Sequence, residues 1–429
     1  MISTALAICA FAGNQILPNY DREVSHIPAE SEANKKINFS HINGSVVAYS
    51  PSETKVFIGS PHMVILPDGT YVACHDIFGK NWDERRKGCV ALVYHSKDKG
   101  KTWQFVSRVN EMFWCQLLYI NNTLYILGTG FDTHRGLLVR KSLDYGKTWS
   151  EIKDSKSGVI TKKGITTPTP IAIANGRIYM HLEQSRPKPE RPKMWAHQYS
   201  YVMSAPVDSD LLNADSWTSS NKVIIPDSMV NLTHGGWLEG NVVQRRSDGK
   251  IFNILRVHGN SDEIAAFYEV SADGKKAILK HNDMFLRLSG ACKKFFIVYD
   301  EKTQKYFALS NYILESDRGE VKNCPHKIKC ERTRNTLALL ESKDLMNWKV
   351  KSVILTDHDI EHSGFQYPTI IIDGNDLIAL VRTAFRVNNS KADSQHNSNL
   401  ITFHRIKNFR DRTMQSKPLM GEIPTTLER

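Results

Sequence analysis

The chain has 429 residues, 41% hydrophobic and 24% charged, an ordinary globular composition that is long enough for one large or two medium domains. The formal net charge is +11, which favours an anionic partner: nucleic acid, an acidic membrane surface or an acidic saccharide. Lys and Arg are spread along the chain with no nucleic-acid-binding signature, and no apolar stretch is long enough to cross a bilayer, so neither nucleic acid nor membrane insertion is expected.

Residues 1–35 read as a leader or N-terminal arm. Ile2–Ala12 is apolar and about the length of a signal-peptide core, with a rough cleavage signal at Ala10-Phe11-Ala12 but no preceding positive charge. It is either a signal peptide or an apolar leader strand; the first implies a secreted or periplasmic protein. From residue 36 to 410, short apolar strands end in turn signals: Met63–Leu66 before Pro-Asp-Gly, Tyr71–Cys74, Ile171–Ala174 before Asn-Gly, Ile178–Leu182, Ile251–Val257, Thr369–Ile372 before Asp-Gly, Leu377–Arg382 and Leu400–Phe403. This is all-β spacing with almost no helical periodicity. The phrase "apolar strand, turn, apolar strand" recurs near residues 66, 174, 243 and 372, as the inner hairpin of a propeller blade would. Residues 411–429 read as a tail.

One octapeptide repeats: Ser96-Lys-Asp-Lys-Gly-Lys-Thr-Trp103 returns as Ser142-Leu-Asp-Tyr-Gly-Lys-Thr-Trp149 after 46 residues, and in degenerate form as Ser342-Lys-Asp-Leu-Met-Asn-Trp348. Asp and Gly tolerate tight-turn dihedrals, Ser and Asp bond the turn backbone, and Trp packs between sheets. A blade-length period predicts an all-β, seven-bladed β-propeller with six blades as the alternative, forming a single domain over 36–410. Seven sparsely spaced cysteines do not make a disulfide scaffold. Cys324 and Cys330 either close a small loop, help hold a metal, or stay free thiols. No cofactor motif is recognised, and a structural divalent metal is compatible with the sequence.

These repeats resemble the Asp boxes of the sialidase superfamily. A closer resemblance runs from about Tyr49 to Arg410. It rests on Ile58-Gly-Ser-Pro61, Leu66-Pro-Asp-Gly69, His75-Asp76, Ser204-Ala-Pro-Val-Asp208, Trp237-Leu-Glu-Gly-Asn241, Ile254-Leu-Arg-Val257, Arg334-Asn-Thr-Leu-Ala338, Gly364-Phe-Gln-Tyr367, Arg382-Thr-Ala-Phe385 and Thr402-Phe-His-Arg405. In that order they are similar to seven-bladed rhamnose–glucuronate lyases, L-rhamnosyl-glucuronate hydrolases and, more distantly, ulvan lyases. The resemblance implies an acidic oligo- or polysaccharide substrate, in agreement with the net charge. A sialidase would carry an arginine two residues before Pro61; Gly59 stands there, which argues against that activity.

β-Elimination from a uronate needs a neutraliser for the carboxylate, a base and an acid, roles that His, Tyr and Arg suit. His75 matches a histidine of the lyase pattern and is either a base or a structural residue held by Asp76. His134 and Arg135 lie in the loop where that pattern has a Tyr-Gly pair, here Arg135-Gly136; they are either a proton carrier and a carboxylate ligand or part of a solvated loop. Leu92 replaces a second histidine, and His95 could substitute only through a register slip. Tyr49 stands where the related hydrolases have their catalytic His. Glu239 and Arg256 are either a structural ion pair or ligand contacts. His62, Asn241, His258, Tyr367 and Arg382 are further candidates for substrate binding; His362 and Glu183 are weaker ones. The expected catalytic set is His75, His134, Arg135 and Arg256, acting as a lyase on rhamnose–glucuronate linkages. A hydrolase of the same linkage, a sialidase-like hydrolase and a non-catalytic glycan binder are the alternatives. A monomer is expected.

Overall fold

A computed structural model describes residues 14–16, 37–82, 88–131, 133–186, 198–226, 236–258, 263–318 and 330–423. The strands form six antiparallel sheets. We number them as blades 1 to 6 in the order of their inner strands: Phe57–Ile65, Phe113–Ile120, Ala172–Ala174, Trp237–Gln244, Phe296–Asp300 and Gly364–Asp373. The count is therefore six, the second of the two expectations. The residues that a seventh blade would need are used otherwise. Ser45–Tyr49 pairs antiparallel with Leu400–Ile406 and becomes the fourth strand of blade 6, which ties the start of the propeller to its end. Asn14–Ile16 adds in parallel outside it.

Alternation of side chains places apolar residues between neighbouring blades. Tyr71, Tyr94, Trp103 and Phe403 share one such layer between blades 6 and 1; Val72, Cys115, Leu117 and Leu138 share the next. The turns near 66, 174 and 372 are inner hairpins of their blades, as the sequence implies. The first repeat closes the turn after the third strand of blade 1. Asp98 accepts from Thr102 N (2.9 Å) and Thr102 Oγ1 (2.5 Å), Ser96 Oγ accepts from Gly100 N (2.8 Å), and Trp103 Nε1 donates to Ser45 Oγ (3.0 Å). Blades 2 and 5 repeat the Ser–Asp turn at Ser142–Asp144 and Ser342–Asp344. Blade 4 holds a fourth version that the sequence reading missed: Ser271 Oγ donates to Asp273 (2.5 Å) and accepts from Lys276 N (2.9 Å). It lacks the Trp, so the octapeptide pattern does not find it.

Residues 411–423 are not a loose tail, since Leu419 N and Thr356 N bond across to Ile354 O and Met420 O. Apart from Asn14–Ile16, the leader expected over 1–35 lies outside the described residues, as does Cys324. Among the described residues, Cys74 and Cys115 are buried free thiols. No described helix is long and apolar enough to cross a membrane.

Candidate functional site

A bulge at the start of the inner strand recurs in four blades. In blade 4, Leu238 pairs with Arg256 but Asn241 pairs with Ile254, so two residues oppose one. Blade 6 does the same between Gln366–Arg382 and Thr369–Leu380, and blades 1 and 2 follow suit. The bulged residue takes a left-handed backbone each time: Ser60 (φ 49°), Trp114 (φ 49°), Glu239 (φ 53°) and Tyr367 (φ 50°). Such a conformation is unfavourable for a side-chain-bearing residue and persists where the surroundings enforce it. The bulge in blades 4 and 6 brings together a carboxylate and a phenol: Tyr367 Oη donates to Glu239 Oε1 at 2.6 Å.

Three guanidiniums surround that pair. Arg256 and Arg382 end the second strands of blades 4 and 6; Arg334 precedes the third strand of blade 5. All three are at most 6% exposed. Arg256 Nη1 donates to Glu239 Oε2 (2.7 Å) and Nε to Cys292 O (2.8 Å). The other two flank the Tyr367 ring, with Cζ 5.9 Å (Arg334) and 5.0 Å (Arg382) from its centroid. Among the described residues their hydrogen bonds go to neutral acceptors. Arg334 donates to Gln366 Oε1 and to Glu331 O; Arg382 donates to Ser398 Oγ (3.0 Å) and His396 O (2.6 Å). Two buried cations without a hydrogen-bonded carboxylate are costly, and an incoming anion offsets that cost.

Glycine makes room for the third guanidinium. A Cβ on Gly59 would lie 3.3 Å from Arg382 Nη1 and 3.0 Å from the Phe78 ring. The position that lacks an arginine in blade 1 is thus covered by an arginine from blade 6.

Burial alone would raise the Glu239 pKa; Arg256 and the Tyr367 hydroxyl outweigh it and hold the carboxyl below its ordinary value. Tyr367 is pushed up, first by burial and then by the Glu239 charge, so its hydroxyl is protonated at rest. Burial lowers Arg334 to about 10, and it stays a cation at neutral pH.

These groups open into a cavity of about 600 Å³, walled by Arg256, His258, Glu331, Arg332, Arg334, Tyr367 and the Ser394–Asn397 loop. A cleft of similar size, about 520 Å³, lies between blades 4 and 5, and three of its cations are already paired, as Arg245–Asp248, Lys250–Glu269 and Arg287–Glu263. A third space of about 510 Å³ is the axial tunnel, lined by inner strands of all six blades and mostly apolar. In the arginine cavity, by contrast, two buried guanidiniums have no hydrogen-bonded carboxylate among the described residues. The Ser–Asp turns stand at the opposite end of the blades.

Of the residues singled out in the sequence, Arg256, Glu239, Tyr367, Arg382 and His258 come together here. His258 Nδ1 lies 3.4 Å from Arg256 Nη2. Asn241 lies behind them, fully buried, bonded to Phe295 O (3.2 Å) and Ile297 N (3.1 Å) as a tie between blades 4 and 5. Glu183 accepts the Glu239 backbone N–H and sits 3.2 Å from His181. His75 is stacked on Tyr94 within blade 1 (centroids 5.4 Å), and burial lowers its pKa to about 4. His62 lines the axial tunnel and accepts from Leu117 N (3.1 Å). His134 pairs with Glu111 (2.8 Å), and Arg135 is exposed; both lie on blade 2 and neither lines the cavity. Tyr49 packs on Phe39 at the outer edge of blade 6. His362 pairs with Asp359 (3.1 Å). His95 does not substitute for Leu92: His75 pairs directly with Leu92 without a slip, and His95 Nε2 contacts Tyr145 O at the far end of the blades (2.6 Å).

Arg334 and His396 line the cavity but carried no role in the sequence reading. Arg334 opens the Arg-Asn-Thr-Leu-Ala segment, a charged residue at the head of a buried strand, which is a usable signal. His396 lies in a polar loop and has none.

The fold is a six-bladed β-propeller with an arginine-walled cavity at one end of its blades. No protein-family model matches the chain, and no curated protein is similar to it in sequence. Solved structures share the fold. An α-L-arabinanase from Penicillium chrysogenum complexed with arabinobiose superposes with a TM-score of 0.54 at 14% identity, covering 86% of this chain and 98% of that one. A Hadza microbial sialidase does so at 0.54 and 14%, covering 85% and 68%. A protein of unknown function from Dyadobacter fermentans reaches 0.56 at 14%, covering 85% and 98%. At these identities the likeness establishes the fold alone.

Proposed function

We propose that this protein is a glycoside hydrolase that releases a carboxylate-bearing sugar, a uronic or sialic acid, from an acidic glycan. The observation that carries the reading is the Tyr367–Glu239 pair among three buried guanidiniums, two of which, among the described residues, have only neutral hydrogen-bond partners. Arg334 and Arg382 are the natural seat of the sugar carboxylate. In this reading Tyr367 Oη attacks the anomeric carbon while its proton passes to Glu239. The bond to the leaving oxygen breaks, that oxygen takes a proton, and water later cleaves the tyrosyl–sugar bond. A neutral nucleophile suits a site that also holds the substrate carboxylate, because a carboxylate nucleophile would repel it. The named activities of the fold neighbours, arabinanase and sialidase among them, support a saccharide substrate.

Elimination at a rhamnose–glucuronate linkage remains the second reading, because Arg334 and Arg382 could equally neutralise a uronate while Tyr367 takes the C5 proton. His75, His134 and Arg135 do not line the cavity, and that favours hydrolysis. Incubation with aryl glucuronide, aryl sialoside and a rhamnose-capped glucuronide tests both. Release of the free acidic sugar supports hydrolysis. An unsaturated uronate with its new ultraviolet absorbance would replace it by elimination. Turnover of neutral glycosides alone would overturn both.

A further inference from the structure

His396 belongs to the wall of the cavity, on the loop between the second and third strands of blade 6. Its Nε2 lies 3.3 Å from Arg382 Nη2. A guanidinium only donates, so Nε2 accepts and the ring proton stands on Nδ1, where Asn397 Oδ1 receives it at 2.9 Å. The ring packs edge-on against Phe78 (centroids 5.8 Å), and the backbone carbonyl accepts from Arg382 and from Gln366 Nε2 (3.2 Å). Around it stand Arg382, Arg334, Arg256 and Arg332 as cations. Tyr367, His258 and Glu331 face the same space, and Asp393 on its own loop is tied to Lys55. The empty site thus holds His396 in its neutral form by occupying the nitrogen that would otherwise take a proton.

We infer that seating a carboxylate on the arginine cluster loads a proton onto His396, and that this imidazolium is the acid which protonates the departing glycosidic oxygen. The inference deepens the hydrolase reading and rests on it. A carboxylate draws the Arg382 N–H groups to itself, which frees Nε2, and cancels positive charge beside the ring; both changes favour the imidazolium. In the empty site, packing around the ring and then the charges of Arg382, Arg334 and Arg256 hold its pKa well below the ordinary histidine value. Because the residue is exposed to the cavity, the charges are the more lasting of these causes, and they are what a bound anion removes.

The step balances. As the bond from the anomeric carbon to the leaving oxygen breaks, the Nε2 proton goes to that oxygen and the imidazole returns to neutral. When water attacks the tyrosyl–sugar bond, Nε2 takes the water proton and Tyr367 regains its own from Glu239. A neutral sugar would occupy the cavity without arming it, so selection for acidic sugars operates on the acid as well as on binding.

Binding of free glucuronate and free N-acetylneuraminate, followed by titration calorimetry near neutral pH in two buffers of different ionisation enthalpy, tests this. The wild-type protein is expected to take up of the order of one proton per carboxylate bound, while His396→Asn and His396→Gln still bind and take up none. The ¹⁵N shifts of the wild-type ring should move to the imidazolium range on binding. Binding without uptake, or equal uptake in the variants, overturns the proton-loading role and leaves the hydrolase reading standing. No binding of either acid overturns both.

Discussion

Glu239 and Arg256 show how one residue pair serves both stability and chemistry. Both are almost fully buried, so each is the condition for the other's charge. Removing one partner of a buried pair costs roughly 3 to 5 kcal/mol. Arg256→Ala should therefore destabilise the protein by about that amount in chemical unfolding. Tyr367→Phe removes one hydrogen bond to an ionised carboxylate, about 1.5–3 kcal/mol, yet should lower turnover at least a hundredfold on any acidic glycoside the wild type cleaves. A Tyr367→Phe variant of full activity would remove Tyr367 from the chemistry. Gly59 makes the complementary case. Gly59→Ala should push Arg382 aside and weaken glucuronate binding about tenfold (about 1.4 kcal/mol), with little change in melting temperature. Binding isotherms of the variant against wild type would check this.

At the scale of elements, the two ends of each blade have separate tasks. The inner-strand bulges turn Glu239 and Tyr367 toward each other, whereas the Ser–Asp turns at the opposite end close hairpins. Asp98→Ala would leave Thr102 N and Ser96 Oγ without their acceptor and should cost about 1–2 kcal/mol, with binding at the cavity unchanged. Thermal unfolding and glucuronate titration of the same variant would separate the two effects. The repeats were legible in the sequence because they act locally: Ser, Asp and Gly satisfy one turn within eight residues. The bulges were not, because a positive φ at Glu239 or Tyr367 leaves no mark in composition and depends on the strand opposite. The same holds for His75, which the sequence puts just after the strand Tyr71–Cys74, yet which lies within Tyr71–Phe78 and packs against Tyr94 once blade 1 forms.

The whole molecule closes through Ser45–Tyr49, held between Leu400–Ile406 and the outer Asn14–Ile16. Acid acts on the fold through its buried histidines. Burial lowers His75 and His404 to about 4 and His62 to about 3, below the ordinary histidine value of about 6.5. The unfolded chain then binds protons that the native state refuses, so stability is complete above about pH 6.5 and declines as pH falls toward 4. Asp144, Asp300, Asp359 and Glu341, each lowered to about 2, extend the loss below about pH 4.5 as their carboxylates are protonated. Unfolding free energy should be smaller at about pH 5 than at about pH 7, and His404→Leu should flatten that slope; an unchanged slope would contradict the assignment.

By itself the sequence determined the all-β propeller, the blade period and the Ser–Asp turns, and its net charge set the expectation of an anionic partner. These follow from alternation, turn chemistry and net charge, which are properties of short segments or of the sum. It also pointed at Glu239, Arg256, Tyr367 and Arg382, because polar residues at the ends of apolar strands must face a channel or a partner. Only the tertiary structure decided that there are six blades, since the closing strand comes from the far end of the chain. Only it placed Arg382 over Gly59, Arg334 beside Tyr367 and His396 against Arg382. Those contacts join residues 14 to 323 positions apart, and which of them meet depends on how the blades pack around the axis.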